Sequence, residues 1–252
     1  MEIVFLGTGG GRWMTITQRL YTGGFRLHDE VNIHVDPGAG ALVRTCERRI
    51  NPSKTNAVMV SHCHPDHYTD AEVFIEAMTR GMTKRAGVFG GSRSVLLGNE
   101  KLGPAVSRYH KSMIEKEYTL DAGVTLKIGD IGMEALPTQH SDPEGVGMKF
   151  FTNHGIITYT GDTEYFEGMP RAYKGSSLMI INVIRPKVDM LKWHLCSEDV
   201  IRILNEVVPE TAIITHFGMK MLPVARKEAV NIEAKTGVRT IAARDGMRFT
   251  LK

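Results

Sequence analysis

The chain has 252 residues, of which 42% are hydrophobic, and a formal net charge of +3. A charge this small does not by itself indicate nucleic-acid binding. No apolar run approaches the ~20 residues that cross a bilayer, and residues 1–6 lack the features of a signal peptide. We therefore expect a cytoplasmic protein without membrane contact. Because no repeat, low-complexity stretch or linker interrupts the sequence, we predict a single domain over residues 1–252.

The first half of the chain contains short apolar runs that end in polar or glycine-rich segments. Residues 3–6 predict a buried strand that leads into the turn Gly7-Thr8-Gly9-Gly10-Gly11. Residues 31–35 alternate apolar and polar side chains, which indicates a half-buried strand ending at Asp36. Residues 57–60 form another buried strand.

A helix is expected next, with Asp70 as its N-cap and Gly81 as its C-terminal stop. Four strands joined by short turns then follow. We predict them at residues 124–128, 132–136, 146–151 and 156–159.

The last part of the chain alternates strands with helices, and Ser197 is expected to cap the first of these helices. The predicted strands lie at residues 178–183, 212–215, 238–243 and 247–251, and the predicted helices at residues 197–207 and 223–235. This balance predicts an α+β fold in which two β-sheets pack face to face with helices outside. The short turns argue against a simple parallel sheet.

The segment Ser61-His62-Cys63-His64-Pro65-Asp66-His67 directly follows the strand at residues 57–60. In an extended loop alternate side chains point the same way, so His62 and His64 can bind one ion. Asp66 and His67 lie one turn further on and can reach a second ion. Imidazole and carboxylate ligands suit Zn, Mn, Fe or Ni rather than Ca.

Further ligands are expected where other apolar strands end. His140, Asp162 and His216 each follow a predicted strand. A lone histidine in such a place is more often hydrogen-bonded than metal-bound, but three such residues beside a His-rich loop favour ligation. The three cysteines, by contrast, lie far apart without a CxxC pair, which argues against disulfides and a thiolate zinc ribbon.

These motifs, in their order and spacing, resemble the phosphodiesterase branch of the metallo-β-lactamase superfamily. The resemblance includes Gly161-Asp162-Thr163, Thr215-His216-Phe217 and the opening Phe5-Leu6-Gly7-Thr8-Gly9. Ribonuclease Z and the cyclic-phosphate phosphodiesterase of phosphonate metabolism belong to this branch. The resemblance implies a four-layer αβ/βα sandwich with the site at one edge of the sheets.

The resemblance also implies two divalent metal ions, with zinc as the first choice and Mn, Fe or Ni as alternatives. One ion would be held by His62, His64 and His140. The other would be held by Asp66, His67 and His216, with Asp162 bridging the two. Asp36 would orient the histidine loop without ligating.

In such a centre two cations ~3.5–4 Å apart convert a bridging water to hydroxide near neutral pH and neutralise phosphate oxygens. Asp66 would hold the hydroxide and accept its proton. His194, in His194-Leu195-Cys196-Ser197-Glu198, resembles the histidine that binds phosphate and acts as general acid. Cys196 departs from the Ser or Thr that the family often has, and the alternative is that His194 only packs at the start of the helix.

The favoured function is hydrolysis of a phosphodiester, in a small molecule or at an RNA end. Residues 79–119 are basic but shorter than the arm with which ribonuclease Z binds tRNA, so an RNA-binding arm is the less favoured alternative. A thioester or lactone hydrolase of the glyoxalase II or lactonase kind is the alternative enzyme. A non-catalytic or flavodiiron relative fits less well, since no ligand is lost and no flavodoxin domain is appended. Homodimers are common in this branch, so a second copy is a candidate partner.

Overall fold

The computed structural model describes residues 1–188 and 192–252. These residues form two seven-stranded β-sheets that share one apolar core, with helices on the outer face of each sheet. The predicted α+β class and four-layer sandwich are confirmed.

The first sheet is antiparallel at one edge and parallel at the other. Its strands, in spatial order, are β14 (Arg248–Thr250), β1 (Glu2–Phe5), β2 (Phe25–His28), β3 (Asn32–Val35), β4 (Ala57–Val60), β5 (Ala86–Ser92) and β6 (Ile114–Leu120). Neighbours from β14 to β3 run antiparallel. Neighbours from β3 to β6 run parallel, with Ile33 opposite Ala57 at the start of the β3–β4 pair.

The second sheet repeats this mixed arrangement. Its strands, in spatial order, are β13 (Arg239–Ala242), β12 (Thr211–Thr215), β11 (Leu178–Asn182), β10 (Gly155–Tyr159), β9 (Val146–Thr152), β8 (Ile131–Pro137) and β7 (Thr125–Ile128). The strands from β7 to β10 are antiparallel, as their short turns predict, and those from β10 to β13 are parallel.

Nine α-helices lie among the described residues. They are α1 (Arg12–Thr17), α2 (Ala41–Glu47), α3 (Pro65–Tyr68), α4 (Ala71–Met78), α5 (Arg93–Leu96), α6 (Arg108–Ser112), α7 (Met169–Tyr173), α8 (Ser197–Val207) and α9 (Ala225–Thr236). A 3-10 turn occupies Pro52–Lys54. No helix in the described ranges is long and apolar enough to cross a membrane.

Strand β4 shows why its sequence is apolar throughout. Ala57 and Met59 pack in the core between the two sheets, whereas Val58 and Val60 pack with Phe74 of α4 on the outer face. Successive side chains of a strand point to opposite faces, so a strand covered on both faces needs apolar residues at every position. In the same way β11 serves both the central core and the layer of α7, α8 and α9.

Strand β3 corrects the prediction of a half-buried strand. Asn32 and His34 are buried like the apolar Ile33 and Val35 of the same strand. The ring of His34 lies 4.2 Å from the ring of Phe74, centroid to centroid, so α4 covers the face that was expected to meet solvent.

At the starts of two helices the capping interactions differ from those predicted. Asp70 occupies the N-cap position of α4, but its carboxylate accepts hydrogen bonds from the backbone N–H groups of Gly40 and Leu42, at the start of α2. Helix α8 is capped by Cys196 and not by Ser197, because the Asp199 carboxylate accepts from the Cys196 N–H and completes a capping box.

Candidate metal centre

The predicted ligands converge where strands of both sheets end. His62 and His64 follow β4, and Asp66 and His67 lie on the short helix α3. The second sheet supplies the remaining three, since His140 follows β8, Asp162 follows β10 and His216 follows β12.

Local backbone structure turns these side chains towards one another. Pro65 begins α3, and its fixed φ suits the first position of a helix. The helix therefore starts directly after His64 and returns Asp66 and His67 to the centre. His216 has a φ of 61°, a left-handed conformation that is uncommon for a residue other than glycine.

Three histidines form the first donor group. His64 Nδ1 lies 3.0 Å from His62 Nε2 and 3.1 Å from His140 Nε2. Ligand nitrogens around one tetrahedral zinc ion stand about 3.3 Å apart, given Zn–N distances of about 2.0–2.1 Å. The three nitrogens are therefore spaced as ligands of a single ion.

Two histidines and two carboxylates form the second donor group. His216 Nε2 lies 3.1 Å from His67 Nε2, 3.3 Å from Asp66 Oδ2 and 3.3 Å from Asp162 Oδ1. The ligand atoms of this group all lie within 4.8 Å of one another, and all four residues are buried.

Asp162 lies between the two groups. Its Oδ2 is 3.4 Å from His67 Nε2, 3.8 Å from His62 Nε2 and 3.9 Å from His140 Nε2. One carboxylate thus faces both donor groups, which is the arrangement expected of a bridging ligand.

Hydrogen bonds on the far side of three rings leave lone pairs facing inwards. His67 donates from Nδ1 to Asp36 Oδ2 at 2.8 Å, and His140 donates from Nδ1 to the Trp193 carbonyl at 2.8 Å. The Ser61 hydroxyl donates to Asp36, so it accepts from His62 Nδ1 at 3.0 Å. A neutral imidazole carries one N–H, so the Nε2 atoms that face the centre are free to bind a cation.

The charges around the centre also favour a cation. Burial opposes ionisation of Asp66 and Asp162, yet the neighbouring imidazoles hold the pKa of both carboxyls well below the usual range. Burial likewise opposes charge on His67, but Asp162, Asp66 and Asp36 raise its pKa well above the ordinary value. Burial, together with His67, lowers the pKa of His62. Burial lowers the pKa of His64 and His140 as well. Asp66 and Asp162 are therefore ionised and the three-histidine group is neutral, which are the forms that bind metal, whereas a cation at the second group would have to displace the proton that the carboxylates favour on His67.

Residues 31–217, which contain all seven predicted ligands, match the family described as Beta-lactamase superfamily domain. The chain belongs to the metallo-β-lactamase superfamily. The uncharacterized protein MJ1374 of Methanocaldococcus jannaschii is 46% identical over 254 residues, which cover 100% of this chain and 95% of that protein.

Two solved metallo-β-lactamase-fold structures resemble this chain over its full length. The metallo-β-lactamase fold protein YhfI from Bacillus subtilis has a TM-score of 0.79 at 18% identity, covering 99% of both chains. Human tRNase Z, short form, has a TM-score of 0.71 at 13% identity, covering 100% of both chains. With its clustered donors, the protein is a hydrolase of the metallo-β-lactamase fold.

Asp36 lies behind the metallo-β-lactamase centre, where the resemblance places it. Its Oδ1 accepts from the Ser61 N–H at 2.6 Å, and its Oδ2 accepts from the Ser61 hydroxyl, from His67 Nδ1 and from the Tyr159 hydroxyl. This carboxylate fixes the start of the histidine loop and the ring of His67 together.

Sequence reasoning missed two residues of this network, Tyr159 and Asn182. Asn182 Nδ2 donates to the Tyr159 hydroxyl at 3.0 Å and to Asp162 Oδ1 at 2.8 Å. The two side chains therefore connect Asp36 with the central carboxylate. The only available signal was a polar residue at the end of an apolar strand, which Asn182 shares with the ligands.

A third missed residue, Asp142, supports the histidine loop from its other side. It is fully buried, and its Oδ2 accepts from the Cys63 N–H at 2.8 Å and from the Ser94 hydroxyl at 2.5 Å. The Cys63 side chain packs in the apolar layer with Phe74, away from the donors.

His194 lies at the edge of the centre, with Nε2 3.3 Å from Asp162 Oδ2. It also forms a third potential donor group with His140 and Asp162. The prediction that His194 belongs to the site is consistent with this position, and the alternative of simple packing at the start of α8 leaves the short distance to Asp162 unexplained.

Two basic residues of the second half of the chain, Lys149 and Arg185, differ in their surroundings. Lys149 Nζ donates to the carbonyls of Ala172 and Lys174, away from the donors. Arg185 is 6% exposed, so it is a buried cation and not a surface charge.

Proposed function

We propose that the protein is a zinc-dependent phosphodiesterase with two metal ions, acting on a nucleotide, a cyclic phosphate or an RNA end. His194 carries this proposal, because it adds a partly exposed imidazole to a centre whose seven predicted ligands already account for both metals. Its side chain is 16% exposed, against 5% or less for His62, His67, His140 and His216. It is thus placed to meet a substrate.

The surroundings of His194 suit a proton donor. Burial favours the neutral ring, but the hydrogen bond to Asp162 and the charge of that carboxylate outweigh burial and raise the pKa of His194. Its Nδ1 donates to the Lys192 carbonyl at 3.2 Å, which directs Nε2 towards the centre. A protonated Nε2 could donate to the oxygen that leaves when a phosphodiester is cleaved.

Five imidazoles and two carboxylates form a nitrogen- and oxygen-rich donor set that suits zinc. Two divalent cations held there would lower the pKa of water and neutralise phosphate oxygens. Asp66 would accept the proton of the attacking water, and its position is held by the Gly11 N–H, which donates to Oδ2 at 2.7 Å.

The basic stretch at residues 79–119 favours small substrates over a whole tRNA. It supplies β5 and β6 to the first sheet and carries α5 and α6. Because these residues are built into the sandwich, they leave little chain for an arm that projects onto RNA.

The test is hydrolysis of bis(p-nitrophenyl) phosphate by protein reconstituted with Zn or Mn, with Asp162→Ala as the inactive variant. Asp121→Ala is a matched control, since that side chain is 45% exposed and pairs with Arg93. Turnover that disappears only in Asp162→Ala supports the proposal. No turnover in protein shown to bind two ions would refute it and redirect the search to thioesters and lactones.

The role of His194 is tested by the leaving group. His194→Ala should reduce kcat about 10²–10⁴-fold on a 2′,3′-cyclic nucleotide, whose alkoxide leaving group needs a proton. The loss on bis(p-nitrophenyl) phosphate should be much smaller, because nitrophenolate leaves without help. Equal losses on both substrates, together with loss of bound metal, would show that His194 is a ligand instead.

A further inference from the structure

The glycine turn that follows β1 joins the ends of the two sheets. The Phe217 N–H donates to the Thr8 carbonyl at 2.7 Å, and the Gly10 N–H donates to the Phe217 carbonyl at 3.2 Å. Gly9 and Phe217 form an isolated parallel β-bridge. The turn therefore runs directly beside His216, the residue before Phe217.

Gly10 leaves no room for a side chain on this side of His216. A methyl group at Gly10 would lie 2.2 Å from the Cγ, Nδ1 and Cε1 atoms of the imidazole. Ordinary contact begins at 3.4 Å, so the ring would have to move by about 1.2 Å. The φ of Gly10 lies outside the left-handed region, so contact alone requires a glycine here.

His216 differs from the other buried imidazoles of the metal centre in how its ring is oriented. His62, His67 and His140 each make a hydrogen bond through Nδ1. The Nδ1 of His216 is buried and has no hydrogen-bond partner among residues 1–188 and 192–252. Packing against Gly10 takes the place of that hydrogen bond.

Gly11 acts on a second ligand from the same turn. Its N–H donates to Asp66 Oδ2 at 2.7 Å, and this oxygen is the one that lies 3.3 Å from His216 Nε2. Its φ of 83° is a left-handed conformation that favours glycine and lets the N–H point at the carboxylate.

We propose that Gly10 and Gly11 are positioning residues for one half of the metal centre. They set the ring of His216 by packing and the carboxylate of Asp66 by a backbone hydrogen bond. Among the described residues, the hydrogen bonds of residues 7–11 do not reach His62, His64 or His140. The metal affinity of the second group therefore depends on the glycine turn, whereas that of the first group does not.

Zinc titration of chelator-treated Gly10→Ala, with a competing chromophoric chelator, tests this dependence. We expect one zinc equivalent to bind as in the wild type and the other to bind about 10- to 100-fold more weakly, as when a ligand loses its orienting partner. Gly132→Ala is the matched control, since the atoms nearest a methyl group there belong to Phe151 and lie at an ordinary contact distance of 3.5 Å or more. Wild-type zinc binding by Gly10→Ala would overturn the proposal.

A double-mutant cycle separates the contact with His216 from a general effect of alanine in the turn. In a His216→Ala background the ring is absent, so Gly10→Ala should change neither zinc binding nor Tm further. An equal loss in both backgrounds would overturn the proposal. If Gly10→Ala alone does not fold, the double variant Gly10→Ala/His216→Ala should still fold. If the double variant does not fold although His216→Ala does, the proposal is overturned. These experiments measure zinc binding and folding, so their outcome does not depend on whether the substrate is a phosphodiester.

Discussion

Replacing Tyr159 by phenylalanine removes one hydroxyl from the network behind the metal centre. That hydroxyl donates to Asp36 Oδ2 at 2.7 Å and accepts from Asn182 Nδ2 at 3.0 Å. Burial and the charge of Asp36 raise the pKa of Tyr159 well above its ordinary value, so the phenol stays protonated and donates.

The expected loss of stability in Tyr159→Phe depends on which hydrogen bonds Asp36 and Asn182 retain. Asp36 keeps its bonds from Ser61 and His67, and Asn182 keeps Asp162, so no buried charge is left alone. A hydrogen bond to a charged group contributes about 1.5–3 kcal/mol and a neutral one about 0.5–1.5 kcal/mol. We therefore expect Tyr159→Phe to lower the free energy of unfolding by the sum of the two, about 2–4.5 kcal/mol.

Urea unfolding of the metal-free protein, followed by far-UV circular dichroism, measures this loss as a lower midpoint at an unchanged slope. Tyr173→Phe is the matched control, because Tyr173 is also fully buried but its hydroxyl has, among the described residues, a single long contact with the Thr160 carbonyl, at 3.5 Å. That distance is too long for a strong bond, so the control should lose less than about 1 kcal/mol. Equal losses in the two variants would refute the reasoning.

Three further predictions concern support of the histidine loop, pH and metal. Asp142→Ala leaves the Cys63 N–H without its acceptor and removes the bond from Ser94, so urea unfolding should show that the free energy of unfolding falls by about 2–4 kcal/mol. In the control Asp121→Ala, whose side chain is 45% exposed, the free energy of unfolding should fall by less than about 1 kcal/mol. A comparable fall in the two variants would contradict the prediction. Burial lowers the pKa of His34 to about 3, whereas the unfolded imidazole takes up its proton near pH 6.5. The unfolded state binds more protons than the folded state between these pH values, so the free energy of unfolding should fall as pH drops from about 6.5 to about 3. The free energy of unfolding of His34→Gln should depend less steeply on pH, and an equally steep dependence would refute this prediction. Finally, zinc at about 100 times its Kd should stabilise the chelator-treated protein by roughly 2.7 kcal/mol; a Tm that zinc does not raise would argue against binding to the folded state.

The sequence alone determined the class of the fold and predicted the candidate ligands that the structure brings together. Strands covered on both faces are apolar along their middle, so β4, β11 and β12 are visible as runs of three or four apolar residues. Polar residues that end such runs lie at one edge of the sheets, which is why His62 and His216 could be picked out without coordinates. These signals are local, because they depend on neighbouring residues and on the period of a strand.

Only the tertiary structure decided which groups hold the ligands in place. Asp36 follows β3 of the first sheet and Tyr159 ends β10 of the second, 123 residues further along the chain. The Tyr159 hydroxyl nevertheless lies 2.7 Å from Asp36 Oδ2. No periodicity links Gly10 to His216 or Asp142 to Cys63, and the acceptor for His140 is a backbone carbonyl, which every residue carries. Side-chain type and spacing predict where a chain can bind metal, whereas the packing of one sheet against the other determines how firmly each ligand is oriented.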